Sequence, residues 1–158
     1  MPPPLLFDLS QIDLTAVPLF DREAIGRVNP QRFEMQHLDG ILWFDKENFL
    51  ILGYKDVTES EFWVRGHIPG RPLMPGVIMV EAGAQLSSFF VKQIYGVEGF
   101  VGFGGIDSAR FRSVVEPPQR LLLLGHFTKF KSRKYICSVQ GIVGDTMVFE
   151  AVVSGLRV

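Results

Sequence analysis

The sequence has a single cysteine, no long apolar run and almost no net charge, and each shortage excludes a class of protein. Because Cys137 is the only cysteine among the 158 residues, no disulfide can form within the chain. This favours a reducing compartment. No stretch approaches the roughly 18 uninterrupted apolar residues of a transmembrane helix. Residues 1–10 also lack the basic start and apolar core of a secretory signal. We therefore expect a cytoplasmic protein without a membrane span.

The formal net charge is −1 at pH 7, so no overall electrostatic field favours binding to nucleic acid. One local exception is a basic cluster between two predicted strands, formed by Lys129, Lys131, Arg133 and Lys134. A solvated hairpin tip explains this cluster as well as a docking surface for an acidic protein partner does. The sequence leaves both interpretations open.

Motifs for cofactors and for serine hydrolysis are also missing. Cys137 and the acidic residues have no metal-ligand spacing with any histidine, so we predict no metal site. The glycines at 102, 104 and 105 lack the third glycine and the following helix of a dinucleotide loop, and no serine lies in a G-x-S-x-G turn. We therefore predict an activity without a cofactor. His37 and His126 lie in no catalytic pattern, and we predict surface or sheet positions for them.

Apolar residues, by contrast, are abundant: 47% of the chain is hydrophobic and 14 residues are Phe. The length fits one domain with a sizeable core. The surplus of apolar surface suits a second subunit or an apolar ligand cavity. We predict an extended N-terminal arm over residues 1–20 and a single domain over 21–158.

Hydrophobic patterns predict an α+β domain in which one long helix packs against an antiparallel sheet. Asp21 is expected to cap a short helix over 22–28, and Gly96 is expected to end a long, nearly all-apolar helix over about 74–95. Short turns between consecutive strands favour antiparallel pairing. The predicted strands cover residues 38–44, 49–57, 100–103, 108–112, 120–131, 135–143 and 146–157.

The most informative stretch is 66–85, where a Gly/Pro-rich loop leads into the long helix. His67 lies in the loop, and Glu81 lies within the apolar run of the helix. A carboxylate in such a run is costly to bury, so a chain that keeps one there generally pairs it or keeps it protonated. One loop histidine and one helical carboxyl group therefore suggest an acid/base pair.

The same stretch resembles the signature of the FabZ-type (3R)-hydroxyacyl-[acyl carrier protein] dehydratases of the hotdog-fold superfamily. The matching residues form two ungapped strings, Gly66-His67-x-Pro69-Gly70-Arg71-Pro72-x-Met74-Pro75-Gly76-Val77 and Glu81-Ala82-x-Ala84-Gln85. The resemblance implies a hotdog fold, in which a curved antiparallel sheet wraps a long central helix. It also implies dehydration of (3R)-hydroxyacyl-[acyl carrier protein] to trans-2-enoyl-[acyl carrier protein] in fatty-acid biosynthesis.

Carried over position by position, the resemblance makes His67 the base and Glu81 the acid. Gly76 falls on the glycine whose amide holds the thioester carbonyl, and the amide of Val77 also lies at the positive end of the helix dipole. Gln85 is one helical turn beyond Glu81 and is expected to orient it. The family further implies acyl carrier protein as a partner, for which the basic cluster is a candidate docking surface, and a homodimer with sites shared between subunits. A trimer of dimers is a known further assembly of such relatives.

Two other functions stay open at this point. A hotdog acyl thioesterase would need a water positioned at the thioester carbonyl, and a non-catalytic acyl-thioester-binding subunit would need no chemistry at all. The second is kept open because segment 31–36 departs from the family's usual string and because the chain carries an N-terminal arm. The fold alone does not choose among these functions.

Overall fold

A computed structural model describes all 158 residues. It contains seven strands and two α-helices, α1 being short and α2 being the long central helix. The bounds are β1 Phe20–Asp21, α1 Arg22–Gly26, β2 Gly40–Asp45, β3 Leu50–Val57, α2 Gly76–Phe89, β4 Val101–Phe111, β5 Gln119–Phe130, β6 Lys134–Val143 and β7 Thr146–Arg157. Neither helix has the length and apolar character that crossing a bilayer requires.

All seven strands form one antiparallel sheet in the order β1-β2-β3-β5-β6-β7-β4. The register shifts at bulges in β2, β4, β5 and β6–β7, and bulges of this kind increase the twist and curvature of a sheet. The strand β4 pairs only with β7, so its other edge is open.

The sheet curves around α2, whose apolar residues form the main core with the inner face of the strands. Leu86, Phe89 and Phe90 on the helix are completely buried. At Gly83 the helix comes so close to the sheet that an added Cβ would lie 3.0 Å from the Val139 side chain. This close approach explains why the helix carries the small residues Ala82, Gly83 and Ala84 at this point. The antiparallel hotdog architecture expected from the sequence is confirmed.

The outer face of the sheet carries a second apolar cluster, which includes Leu52, Leu124 and Ile142. The N-terminal arm lies across it and contributes Leu6, Phe7, Leu9, Ile12 and Leu14. The buried amide of Gln140 fixes the arm, since its oxygen accepts from the Leu6 N–H at 3.0 Å and its nitrogen donates to the Pro4 carbonyl at 3.0 Å. The division into arm and domain at residue 20 stays a prediction.

Three local predictions need correction. The long helix is regular only to Phe89 and then widens into a π-helical turn over Phe90–Ile94, which a hydrophobic pattern does not distinguish from α-helix. The two strands predicted on either side of residues 104–107 are one bulged strand, β4, because both halves pair with β7. His37 is neither a surface nor a sheet residue, since it is fully buried in the loop before β2.

Candidate active site

The His67 loop holds its histidine in one tautomer. The Nδ1 atom of His67 lies 2.8 Å from the carbonyl oxygen of Leu73. A carbonyl oxygen only accepts hydrogen bonds, so Nδ1 must carry the proton and Nε2 is left as an acceptor. The backbone N–H of His67 donates to the Trp63 carbonyl at 2.9 Å, and the side chain is exposed. An exposed imidazole whose Nδ1 is held by a backbone carbonyl has its Nε2 directed away from that contact, and Nε2 is the atom suited to act as a base.

The loop ends where α2 begins, and this junction leaves backbone donors unoccupied. Pro75 precedes the helix and makes no side-chain cap. The first amides of a helix have no carbonyl partner within it, so the N–H groups of Gly76 and Val77 are available to a ligand. An added Cβ on Gly76 would lie 2.7 Å from the ring of Phe111. Glycine is therefore required here by the strand packed against the helix start.

Glu81 lies one turn into α2 and is half-buried within the single chain. Its Oε1 accepts a hydrogen bond of 2.9 Å from the Nε2 of Gln85. The partial exposure differs from the full burial that the apolar run suggested, because Glu81 lines a cavity between α2 and the sheet. The contact expected between the two side chains is present.

Gln85 is itself held from three directions and is almost fully buried. Its Oε1 accepts from the backbone N–H of His37 at 2.9 Å, while its Nε2 donates to the Met35 carbonyl at 2.8 Å. Asn29 donates to the Gln85 carbonyl at 3.0 Å. Because its oxygen is committed to His37, the nitrogen must face Glu81. Sequence reasoning missed the role of segment 35–37, whose only signal was its departure from the family pattern.

A small cavity contains Glu81 and Gln85 and extends between α2 and strands β4, β6 and β7. His67 does not line this cavity, and no hydrogen bond joins His67 to Glu81 within the chain. The structure of one chain therefore positions Glu81 and Gln85 together but leaves His67 apart from them.

The basic cluster lies at the β5–β6 turn, where Lys131 and Lys134 exchange two backbone hydrogen bonds of 2.9 and 3.3 Å. Lys129, Lys131, Arg133 and Lys134 are all exposed. None of the four takes part in a salt bridge. Their positive charge is consequently directed to solvent and not neutralised within the chain.

Comparison with known proteins identifies the family. A family model described as a FabA-like domain matches residues 29–152. The chain belongs to the FabA-like family. The FabZ 3-hydroxyacyl-[acyl-carrier-protein] dehydratase of Desulfotalea psychrophila is 38% identical over 129 residues, which cover 77% of this chain and 83% of that protein. The FabZ dehydratase of Desulforamulus reducens is 33% identical over 134 residues, which cover 84% and 94%.

Comparison with solved structures concerns the fold of the chain. A hypothetical thioesterase with coenzyme A from Streptococcus pneumoniae has a TM-score of 0.63 and 12% identity, over 86% of this chain and 95% of that one. At this identity the likeness shows the fold alone. The FabZ-type family and the dehydratase class predicted from residues 66–85 are confirmed by the curated relatives, whereas the roles of individual residues stay predictions.

Proposed function

We propose that this FabA-like protein dehydrates (3R)-hydroxyacyl-[acyl carrier protein] to the trans-2-enoyl thioester. The proposal rests on two side chains, one on each side of the loop–helix junction, that are both held in a fixed orientation by hydrogen bonds. His67 presents a free Nε2 because Leu73 fixes its tautomer, and Glu81 is oriented by Gln85. The reaction class is supported by the relatives, which are named 3-hydroxyacyl-[acyl-carrier-protein] dehydratases.

In the proposed reaction, Nε2 of His67 removes the proton from C2 of the substrate. The electron pair of the C2–H bond forms the C2–C3 double bond, and the C3–O bond breaks. The Glu81 carboxyl group gives its proton to the departing hydroxyl, which leaves as water. Both groups then return to their starting states by exchanging one proton each with solvent. No oxidant or cofactor is needed for this balance.

The amides of Gly76 and Val77 are proposed to bind the thioester carbonyl. Negative charge develops on this oxygen when the C2 proton leaves, and donors already in place stabilise that charge without reorganisation. The helix dipole adds to the effect at this end of α2. Val77 is 72% exposed, so the start of α2 lies at the surface of the single chain.

We further propose that the site is completed in a homodimer. The strand β4 has an open edge over 11 residues, and open strand edges are templates for pairing with another chain. Its exposed apolar side chains include Phe103, Ile106 and Phe111, which are 47–51% exposed. Pairing there would bury this apolar surface and bring the His67 loop of one subunit towards Glu81 of the other, which are apart in a single chain. Whether dimers associate further stays a prediction.

Acyl carrier protein is proposed to dock at the β5–β6 turn. Its acidic surface would be attracted by the four unpaired cations there, an effect that acts mainly on the association rate and weakens with salt. Replacing Lys131 and Lys134 with Glu should raise the KM for the carrier-protein substrate. The KM for a pantetheine thioester should stay unchanged, and an equal rise for both substrates would exclude docking at this turn.

The decisive experiment follows the absorbance of the conjugated enoyl thioester with 3-hydroxybutyryl-[acyl carrier protein]. Wild type should form it, and His67→Ala and Glu81→Gln should each lose at least about a hundredfold in kcat/KM. His126→Ala is the matched control, because His126 lies in β5 away from the loop. Equal rates for Glu81→Gln and wild type would disprove the role of Glu81. Release of free thiol without enoyl product would instead identify a thioesterase.

Mixing the two inactive variants tests the shared site. A dimer of one His67→Ala chain and one Glu81→Gln chain has one intact site if each site combines residues of both subunits. Random exchange should then restore about a quarter of the wild-type activity, since half of the dimers are mixed and each has one working site. No recovery in a mixture that has demonstrably exchanged would place both residues in the same subunit.

A further inference from the structure

Lys55 is a buried cation held between two carboxylates that come from different segments of the chain. It lies on β3, and its side chain is only 6% exposed. Its Nζ atom is 3.5 Å from Oδ2 of Asp39 and 3.3 Å from Oε1 of Glu61. Arg22 adds a second cation, since its guanidinium donates to Oδ1 of Asp39 at 2.6 Å. The four charges balance, and removing one member of such a buried group leaves its partner uncompensated.

Glu61 connects Lys55 to the loop that carries His67. Its second carboxylate oxygen, Oε2, accepts hydrogen bonds from the N–H and the hydroxyl of Thr58 at 3.0 and 3.1 Å. Glu61 thereby closes the turn that follows β3. Two residues later, the carbonyl of the buried Trp63 accepts from the backbone N–H of His67 at 2.9 Å. The start of the His67 loop is consequently fixed to β3 through Lys55.

Asp39 connects the same lysine to the segment that holds Gln85. It follows His37 by two residues, and the N–H of His37 donates to Oε1 of Gln85 at 2.9 Å. Four residues before Asp39, the Met35 carbonyl accepts from Nε2 of Gln85 at 2.8 Å. That nitrogen also donates to the carboxyl group of Glu81 at 2.9 Å. The position of Asp39 therefore bears on the orientation of Glu81.

These two connections lead to different active sites in the proposed homodimer. There the His67 loop of one subunit approaches Glu81 of the other. One chain thus supplies its base to one site and its acid to the second site, and Lys55 pairs with a residue that holds each of them. Loss of the lysine charge should then disturb both sites, whereas loss of one carboxylate should disturb one.

We propose that Lys55 is a positioning residue for both active sites of the dimer, acting on the base through Glu61 and on the acid through Asp39. The inference rests on the proposed function, since it takes His67 as the base and Glu81 as the acid. Lys55 acts through other side chains and not on the reacting atoms. Such an effect on rate can be large, because a displacement of about 1 Å in a reacting group costs up to about a hundredfold.

Dimers with one working site separate the two connections. A Glu81→Gln chain paired with a His67→Ala chain has one such site, whose base comes from the first chain and whose acid comes from the second. Glu61→Gln should lower kcat at least about tenfold in the chain that supplies His67, and less than about twofold in the other chain. Asp39→Asn should show the opposite dependence on placement. KM should change less than about twofold, because the substrate-binding amides stay in place.

A general loss of stability would act equally from both placements, so an equal fall in kcat would overturn the inference. Lys55→Met should lower kcat at least about tenfold from either chain, and wild-type kcat in a folded Lys55→Met dimer would also overturn it. Glu61→Gln and Asp39→Asn keep the size of their side chains, so these two variants decide the test if Lys55→Met does not fold. Asp56→Asn is the matched control, because Asp56 adjoins Lys55 but pairs with Arg120 at 2.8 Å; it should leave kcat unchanged from either chain.

Amide hydrogen exchange separates this inference from the proposed reaction, since it reads single backbone N–H groups without turnover. Glu61→Gln should speed exchange mainly at the His67 amide, and Asp39→Asn mainly at the His37 amide, each by at least about tenfold. This pattern in a protein that forms no enoyl product would support the two connections and refute the dehydratase. Enoyl formation in wild type, with neither amide altered by either variant, would overturn the inference and leave the dehydratase in place.

Discussion

His37 is a buried polar residue that is expected to lower the free energy of unfolding of this protein. It is fully buried, and neither ring nitrogen has a hydrogen-bond partner. Its backbone N–H, in contrast, is needed to hold Gln85. Replacing His37 with Leu keeps the backbone contact and a similar volume but removes two unpaired polar atoms. Because burying a polar group without a hydrogen-bond partner costs about 1–3 kcal/mol, removing the unpaired imidazole in His37→Leu should raise the free energy of unfolding at pH 7.5 by at least about 1–3 kcal/mol.

The same residue should make stability depend on pH. Burial lowers the pKa of His37 from 6.5 to about 4, and the positive charge of Lys55 adds to this shift. Arg22 acts in the same direction, while Glu61 and Asp39 oppose it. Below pH 6.5 the unfolded chain binds a proton that the folded chain refuses until about pH 4. Stability is therefore lost as the pH falls through this window, by about 2 kcal/mol between pH 7.5 and 5.

Denaturant unfolding at fixed protein concentration, at pH 7.5, 6 and 5, measures both effects. Other groups titrate in this range, so the informative quantity is the difference between wild type and His37→Leu. That difference should grow by about 2 kcal/mol on going to pH 5. Phe62→Leu is the control, because the Phe62 ring lies 6.1 Å from the His37 ring and has no ionisable group. A difference that is constant with pH, or a His37→Leu protein less stable than wild type, would refute the reasoning.

Three further results are expected from buried groups. Lys55→Met should lower the free energy of unfolding, measured in denaturant, by about 3–5 kcal/mol, because Lys55 lies 3.3 Å from Glu61 with its side chain only 6% exposed. Adding Glu61→Gln should recover about 1–2 kcal/mol. No recovery would show that the ion pair is not the cause. Gly155→Ala should lower the free energy of unfolding by about 1–3 kcal/mol, because the added Cβ would lie 2.2 Å from the Tyr135 ring. A variant as stable as wild type would contradict this packing. Cys137 is fully buried and burial raises the pKa of its thiol, so a thiol reagent should label it only in denaturant, and labelling of the native protein would contradict its core position.

Much of the site could be predicted because its parts are adjacent in sequence. The loop with His67, the helix start at Gly76 and the helical carboxyl of Glu81 all lie within residues 66–85. Glycine and proline fix the backbone of such a loop locally, and residues four apart on a helix face one another. The contact between Gln85 and Glu81 followed from this spacing and is present in the structure.

Other parts of the site depend on contacts between distant segments. Gln85 is held by Met35 and His37, which precede it by 50 and 48 residues. Tyr135 reaches Ser87 across 48 residues, and its ring fits only because the β6–β7 register places Gly155 opposite it. No local pattern contains this information, since a register is fixed only when the strands pair.

The sequence by itself determined the antiparallel strands, the buried central helix and the placement of His67 and Glu81 on one loop–helix segment, because periodicity, turn chemistry and helical spacing act over a few residues. Tertiary structure alone decided that His37 is buried, that the N-terminal arm covers the outer apolar cluster, and that Glu81 and Tyr135 line the same cavity. Each of these depends on which surfaces of the curved sheet meet which segments. That outcome is set by the packing of the whole chain, in which every buried side chain restricts the positions open to its neighbours.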